Sequence, residues 1–293
     1  MKQEEPINKE EAINYGEDYR FIPASSIENG EITEVAPDVL SLTVQIVNLC
    51  FIGDQRTNDF IIVDAGMPQS AEHIIQVAEA RFGQSARPKA ILLTHGHFDH
   101  VGAIVDLIKH WDVQVYAHPL ECPYLSGEKS YPEPDPSVDG GLVAKVSRLF
   151  PNKPVNLGAY LRPLPDDHTL PELPDWQWVH TPGHTPGHVS YFRQNDGVLI
   201  AGDAFVTVKQ ESLYHVLTQD KTISGPPKYF TTDWPAAWDS VTKLQALNPK
   251  TAITGHGLPM SGQELTENLS KLVKKFDRIA IPQHGRYVNH DEH

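Results

Sequence analysis

Between the apolar segment KAILLT, ending at Thr94, and the apolar-periodic segment AIVDLIKHW lies THGHFDHVG, which places His95, His97, Asp99 and His100 within six residues. Strand, loop and helix are the elements this pattern predicts, and loops beyond the carboxyl ends of strands are where open α/β folds bind ligands. Four ionisable side chains so close together would be electrostatically awkward in a core without a cation. From the His and Asp content of the chain, an HxHxDH match by chance is expected only about two times in a thousand, so coincidence explains it poorly.

The spacing has a physical logic. Alternate residues of an extended loop turn His95 and His97 toward one ion, while Asp99 and His100 turn toward a neighbour. Imidazole and carboxylate without thiolate make a borderline site that favours zinc, with iron or manganese as alternatives.

Elsewhere the chain alternates apolar runs with helical patterns. In residues 41–63 two apolar runs, SLTVQIVNLCFIG and FIIVDAG, flank a polar DQRTND, which predicts strand, turn and strand, with Asp64 ending the second. Residues 71–82 carry Ile74, Ile75, Val77 and Ala78 at helical intervals before Gly83. DWQWVHT leads into PGHTPGH; VSYFRQNDGVLIAGD predicts a hairpin turning at Asp196 and Gly197; PAAWDSVTKLQAL predicts a helix and KTAITGHG a strand. The closing helix SGQELTENLSKLVKKFDRI presents Leu265, Leu269, Leu272 and Phe276 on one face. Two Pro-rich stretches, around residues 119–140 and 161–175, predict irregular structure, and the first is expected to overhang the histidine loop and shape substrate access.

Composition bounds the rest. The 293 residues are 40 % hydrophobic, with 24 Pro and 20 Gly spread along the chain, which predicts one domain over 1–293 with a polar extension at 1–20 and a closing helix and tail at 261–293. The first twenty residues contain no apolar run and no later stretch reaches transmembrane length, so a cytoplasmic protein without membrane attachment is expected. Cys50 and Cys122 then read as reduced thiols. A formal net charge of −14 disfavours nucleic acid as a partner, though bound divalent cations would make one cleft locally positive. A small-molecule substrate is the expected partner.

Taken as a set, HxHxDH after a strand, His184 in TPGHTPGH, Asp203 in LIAGDA and His256 in TGHG resemble the metallo-β-lactamase superfamily in order and interval over roughly residues 40–260. The resemblance implies an α/β fold, the four-layer αβ/βα sandwich with its site at one edge of two facing sheets. It also implies two metal ions, one held by His95, His97 and His184 and the other by Asp99, His100 and His256, with Asp203 bridging. Asp64 matches a family aspartate that supports the metal loop; a strand-end turn is its plainer reading. His188 fits a supporting role better than ligation, and His118, His168, His180 and His215 read as surface or core histidines. Superfamily members often pair, so a homodimer is one expected assembly.

The implied chemistry is hydrolysis of an ester-like bond (thioester, lactone or carboxylic ester) by metal-activated hydroxide, with Asp99 handling the proton. No GxSxG elbow is present, which agrees with a route that needs no serine nucleophile. Only 37 residues follow His256, too few for the glutathione-binding domain of glyoxalase II enzymes. Quorum-quenching lactonases carry a tyrosine where this chain has Val206; Lys209, Tyr214 and His215 follow as alternative carbonyl-polarising groups. His284, Arg286 and Tyr287 form a polar set that could meet substrate if the tail folds back. A mononuclear iron persulfide dioxygenase and a non-catalytic metal-binding module are the competing readings.

Overall fold

A computed structural model describes residues 13–21, 29–138, 144–145, 147–208 and 223–288. Seven strands form the first sheet in sequential order: β1 (Ile32–Ala36), β2 (Val39–Val44), β3 (Val47–Ile52), β4 (Asp59–Val63), β5 (Arg87–Leu92), β6 (Val115–Ala117) and β7 (Leu161–Pro163). The first four strands pair antiparallel, and β4 through β7 pair parallel. Helices α1 (Ala71–Phe82) and α2 (Ile104–Trp111) make the parallel crossovers, and a short α3 (Cys122–Leu125) follows β6.

The second sheet has the order β12, β11, β10, β9, β8, built from β8 (Trp176–His180), β9 (Val189–Arg193), β10 (Val198–Gly202), β11 (Thr251–Thr254) and β12 (Met260–Ser261). Helix α4 (Trp234–Ala246) links β10 to β11, which are parallel, and α5 (Gly262–Lys274) and α6 (Phe276–Ile279) close the chain. Asp233 caps α4 by accepting the Ala236 N–H at 3.0 Å. The closing helix of the sequence reading is therefore two helices, broken at Lys275, where φ −133° and ψ 31° leave the helical region. Its four apolar residues are buried as their spacing predicts.

Three apolar clusters define the layers. Leu40, Leu42, Leu49, Phe51 and Ile62 face α1 and α2, where Ile74, Phe82, Leu107 and Trp111 meet them. The alternate residues Cys50, Ile52, Ile61, Val63 and Leu92 meet Trp176, Val189, Tyr191 and Ile200 between the sheets. On the far side Phe192, Leu199 and Ala252 pack against Val241, Leu244, Leu265 and Leu272 of α4 and α5. Helix, sheet, sheet and helix give the expected four-layer αβ/βα sandwich.

One strand expectation also changes. The run SLTVQIVNLCFIG is not one strand but parts of β2 and β3 folded about Gln45 and Ile46, with Gln45 at φ 58° and its N–H donated to Asn29 Oδ1 at 2.7 Å. Both strands are buried on both faces, the small Ser41 and Thr43 of β2 included, so no exposed polar face marks them, and the turn lacks the Gly or Asn that would have announced it. The described part of the polar extension, from residue 13, packs on the body: Ile13 joins the core, Tyr15 and Tyr19 stack at 3.8 Å, and the Tyr19 hydroxyl donates to the Gly102 carbonyl.

Candidate metal centre

Strand ends position the site. Because β4 and β5 are parallel, Asp64 and the histidine loop leave the first sheet at the same edge; because β10 and β11 are parallel, Asp203 and His256 leave the second sheet together. His184 lies in the loop from β8 to β9. The edges are joined by Val189 N–H to the Thr94 carbonyl (2.9 Å), Asn48 N–H to the Gly255 carbonyl (2.7 Å) and Tyr191 Oη to the Leu93 carbonyl (2.7 Å).

Three groups of ligand atoms converge here, each within 4.8 Å of one another: His95, His97 and His184; His95, His100 and Asp203; and Asp99, His100 and His256. Asp203 Oδ2 stands 3.5 Å from His184 Nε2, 3.6 Å from His100 Nε2 and 3.4 Å from His256 Nε2, so it reaches histidines of the first and third groups at once. Asp99 Oδ2 is 3.3 Å from His256 Nε2. All seven side chains named from the sequence are brought together, and all are buried.

A second layer turns these rings inward. Asp64 accepts from the Thr94 N–H and hydroxyl and from His100 Nδ1, each at 2.8 Å. His256 Nδ1 donates to the Ile46 carbonyl at 2.9 Å, so the turn between β2 and β3 fixes that imidazole. His184 Nδ1 pairs with Thr231 Oγ1 at 3.2 Å. These partners leave the opposite nitrogen, Nε2, facing the centre in each case.

His188 is not in any of the three groups. Its Nε2 accepts the Asp203 N–H at 2.9 Å, which makes Nδ1 the protonated nitrogen and donor to Thr181 Oγ1. The ring thus holds the backbone of Asp203 rather than facing the cleft. Asp64 likewise supports the loop.

Electrostatics distinguish two kinds of group. Burial, reinforced by neighbouring imidazoles, holds His95 and His184 well below the ordinary histidine range and His97 at about 3, so these rings are neutral and present lone pairs. Burial also opposes charge on His100 and His256, but the carboxylates prevail: Asp64, Asp203 and Asp99 raise His100, and Asp203 and Asp99 push His256 up to about 10. Burial would raise Asp203 and Asp99, yet His256 and His100 beside Asp203, and His100 and His256 beside Asp99, hold both below the carboxylate range.

Metal ions fit this donor set. His95 Nε2, His100 Nε2 and Asp203 Oδ1 are buried without a hydrogen-bond partner, a costly condition that a cation coordinated at the centre would relieve. His97 Nδ1 and His184 Nε2 also approach to 3.0 Å, the geometry of two imidazoles directed at one point.

The remaining sequence candidates sit elsewhere. His118 and His180 stack at 4.3 Å, His168 packs on Trp178 at 4.2 Å, and none belongs to the three groups. Val206 is buried and bridges to Ser224 through backbone hydrogen bonds, while Lys209, Tyr214 and His215 lie outside the described residues. The tail docks on the Pro-rich segment, with the Arg286 N–H donated to Asp135 Oδ2 and the Tyr287 hydroxyl to the Glu133 carbonyl. An apolar wall of Phe98, Phe150, Tyr229 and Phe230 flanks the centre, with the Phe230 ring 4.4 Å from that of His97. The sequence reading did not identify Phe230, Thr231, Glu121 or Tyr131, which lie far from the histidine motif in sequence.

The comparisons with known proteins agree with this geometry. Residues 42–256 match the family described as the Metallo-beta-lactamase superfamily. The chain is 46 % identical over 260 residues to the probable metallo-hydrolase YflN of Bacillus subtilis (strain 168), covering 88 % of this chain and 98 % of that protein. It is 28 % identical over 166 residues to the hydroxyacylglutathione hydrolase GloC of Haemophilus influenzae, covering 57 % and 70 % of the two chains. Among solved structures, the BLEG-1 B3 metallo-beta-lactamase superposes with a TM-score of 0.53 at 26 % identity, covering 81 % of this chain and 97 % of that one. A shared sandwich, a shared sequence pattern from the first sheet to His256 and a relative matched over nearly its full length lead to one conclusion, that the chain belongs to the metallo-beta-lactamase superfamily of metal-dependent enzymes.

Proposed function

We propose that this chain is a binuclear, zinc-dependent hydrolase that cleaves an ester-like bond, a thioester, lactone or carboxylic ester, in a small molecule. The single observation that carries the reading is the position of Asp203 Oδ2, 3.4–3.6 Å from the Nε2 atoms of His184, His100 and His256. In this reading His95, His97 and His184 would hold one ion and Asp99, His100 and His256 the other, with Asp203 within reach of both. A set of imidazoles and carboxylates without thiolate suits zinc, with iron or manganese as alternatives. A bound pair would supply a water of lowered pKa, and hence a nucleophile near neutral pH.

The protein's own groups do the rest. Asp99, 3.3 Å from His256 Nε2 at the centre, would accept the nucleophile's proton and, once protonated, donate to the leaving group. His188 fixes the Asp203 backbone, and the Ile46 carbonyl and Thr231 hydroxyl fix two rings, so little reorganisation is required during turnover. Phe98 and Phe230 offer an apolar flank for an acyl group and limit water there. The thioester option draws support from the likeness to a hydroxyacylglutathione hydrolase.

Elemental analysis of chelator-free protein, paired with hydrolysis assays on lactones, thioesters, aryl esters and phosphodiesters, tests the proposal. Two zinc ions per chain and a clear preference for one carboxylic ester-like class are expected. One iron per chain with oxygen consumption would replace the hydrolase by a dioxygenase.

A further inference from the structure

Glu121 is a fully buried carboxylate that no part of the proposed chemistry uses. It sits at the start of α3, on the segment after β6, and each oxygen serves a different loop. Oε2 accepts from the Gly96 N–H at 3.1 Å and from the Tyr131 hydroxyl in a short contact. Oε1 accepts from the Thr185 hydroxyl at 2.7 Å and from the Gly187 N–H at 2.8 Å. Gly96 lies between His95 and His97; Thr185 and Gly187 follow His184. One side chain therefore joins the histidine loop of the first sheet to the histidine loop of the second.

The glycines show how closely this contact is built. A Cβ at Gly96 would lie 2.6 Å from the Tyr131 hydroxyl, and one at Gly187 would lie 2.7 Å from the Glu121 backbone nitrogen and 2.8 Å from its Cγ. Neither glycine has a positive φ, so space and not backbone conformation requires it. The four donors match the acceptor capacity of an ionised carboxylate, and they oppose without cancelling the rise in pKa that burial imposes. The Tyr131 hydroxyl accepts from the same Gly96 N–H, and its ring lies 4.5 Å from that of His97.

Given the metal pair proposed above, we infer that Glu121 is a positioning residue that sets the separation of His97 from His184 and so governs the ion held by His95, His97 and His184. The group formed by Asp99, His100 and His256 contains no residue of the His184 loop and shares only the Gly96 side of the tether, so its ion is the comparison against which the loss is read. Replacing the carboxylate by an amide turns an NH2 toward two donors and releases one loop from the other.

The experiment is titration of metal-free Glu121→Gln with zinc alone, in competition with a chromophoric chelator, with circular dichroism to establish folding and His184→Ala as the reference for loss of the ion spanning the two loops. One ion weakened about 10- to 100-fold, as removal of partners behind metal ligands typically produces, with the other weakened clearly less, is the expected result. Tyr131→Phe and Thr185→Val each remove one donor and should weaken the same ion less, with no further loss when added to Glu121→Gln. Folded Glu121→Gln that binds both ions as wild type does, even with a lowered Tm, would overturn the positioning role. Should Glu121→Gln not fold, unchanged zinc affinity in both single-donor variants would overturn it equally. Wild-type protein that takes up no zinc or other divalent metal would instead remove the metal centre itself.

Discussion

Asp64 Oδ2 accepts from His100 Nδ1 at 2.8 Å, and this contact joins the end of β4 to the histidine loop that follows β5. Asp64 has φ 64°, a left-handed conformation that Asn also tolerates, so Asp64→Asn changes hydrogen bonding without imposing backbone strain. Its amide NH2 would face the Thr94 or His100 donors. Thermal melting of the metal-free protein should show a loss of about 1–3 kcal/mol, and zinc titration should show weaker binding at the Asp99, His100 and His256 group. Wild-type behaviour in both would leave Asp64 as a turn residue only.

Asp99→Asn tests proton handling. Asn keeps the shape and a ligating oxygen but cannot take a proton at ordinary pH. With metal content matched by elemental analysis, kcat should fall about 100-fold or more, the usual scale of general acid–base catalysis. Undiminished kcat at equal metal loading would assign the proton to another group.

Removing metal should destabilise the fold at the same edge. A ligand bound only to the folded state stabilises by about 4 kcal/mol at a free concentration a thousandfold above its Kd. Dialysis against a chelator is therefore expected to lower Tm, and added zinc to restore it. A Tm indifferent to chelator and zinc would contradict a bound structural contribution from the ions.

Gly183, next to His184, has φ 128°, and a Cβ there would lie 2.4 Å from the backbone nitrogen of Ala237 in α4. Gly183→Ala must move either the loop or the helix. A loss of about 1–3 kcal/mol is expected from overpacking alone, together with weaker zinc binding because His184 shifts. Chemical denaturation and metal titration read the two effects separately.

The stacked pair His118 and His180 gives a pH signature distinct from the site. Burial, then the facing His180, lowers His118 to about 4, Asp166 opposes this, and its Nδ1 is engaged as acceptor of the Leu120 N–H. Above pH 6.5 the ring is neutral folded or unfolded, so it contributes no pH dependence there. As pH falls from about 6.5 to about 4 the unfolded chain binds the proton first, and stability is lost across that window. The denaturation midpoint of His118→Gln should fall less steeply over the same range than that of wild type; parallel curves would show that His118 does not titrate this way.

The metal-ligand candidates were legible because each sits beside a strong local signal. HxHxDH follows an apolar strand, Asp203 and His256 end apolar strands, and a glycine adjoins His184 and His256. Helix α1 and the hairpin at Asp196 and Gly197 were legible for the same reason, since period and turn chemistry are local. The turn at Gln45 and Ile46 was not, because β2 and β3 are buried on both faces and their sequence reads as one apolar run. The Pro-rich segment was expected to overhang the histidine loop; its described part binds that loop's backbone through Glu121 and Tyr131 and adds Val138 to the apolar wall beside the centre, partners that its sequence does not announce.

The sequence by itself determined which side chains can share a metal and which family pattern they follow, since those are properties of residue type and spacing. Tertiary structure alone decided what holds them. Glu121 reaches Gly96 across 25 residues and Gly187 across 66, Ile46 reaches His256 across 210, and His188, read from the sequence as a support, has its partner only in the fold, where it accepts the Asp203 N–H. Hydrogen bonds between segments so far apart leave no periodicity in the chain. Their physical basis is the convergence of two parallel strand pairs at one edge, where donors and acceptors from both sheets must satisfy one another once water is excluded.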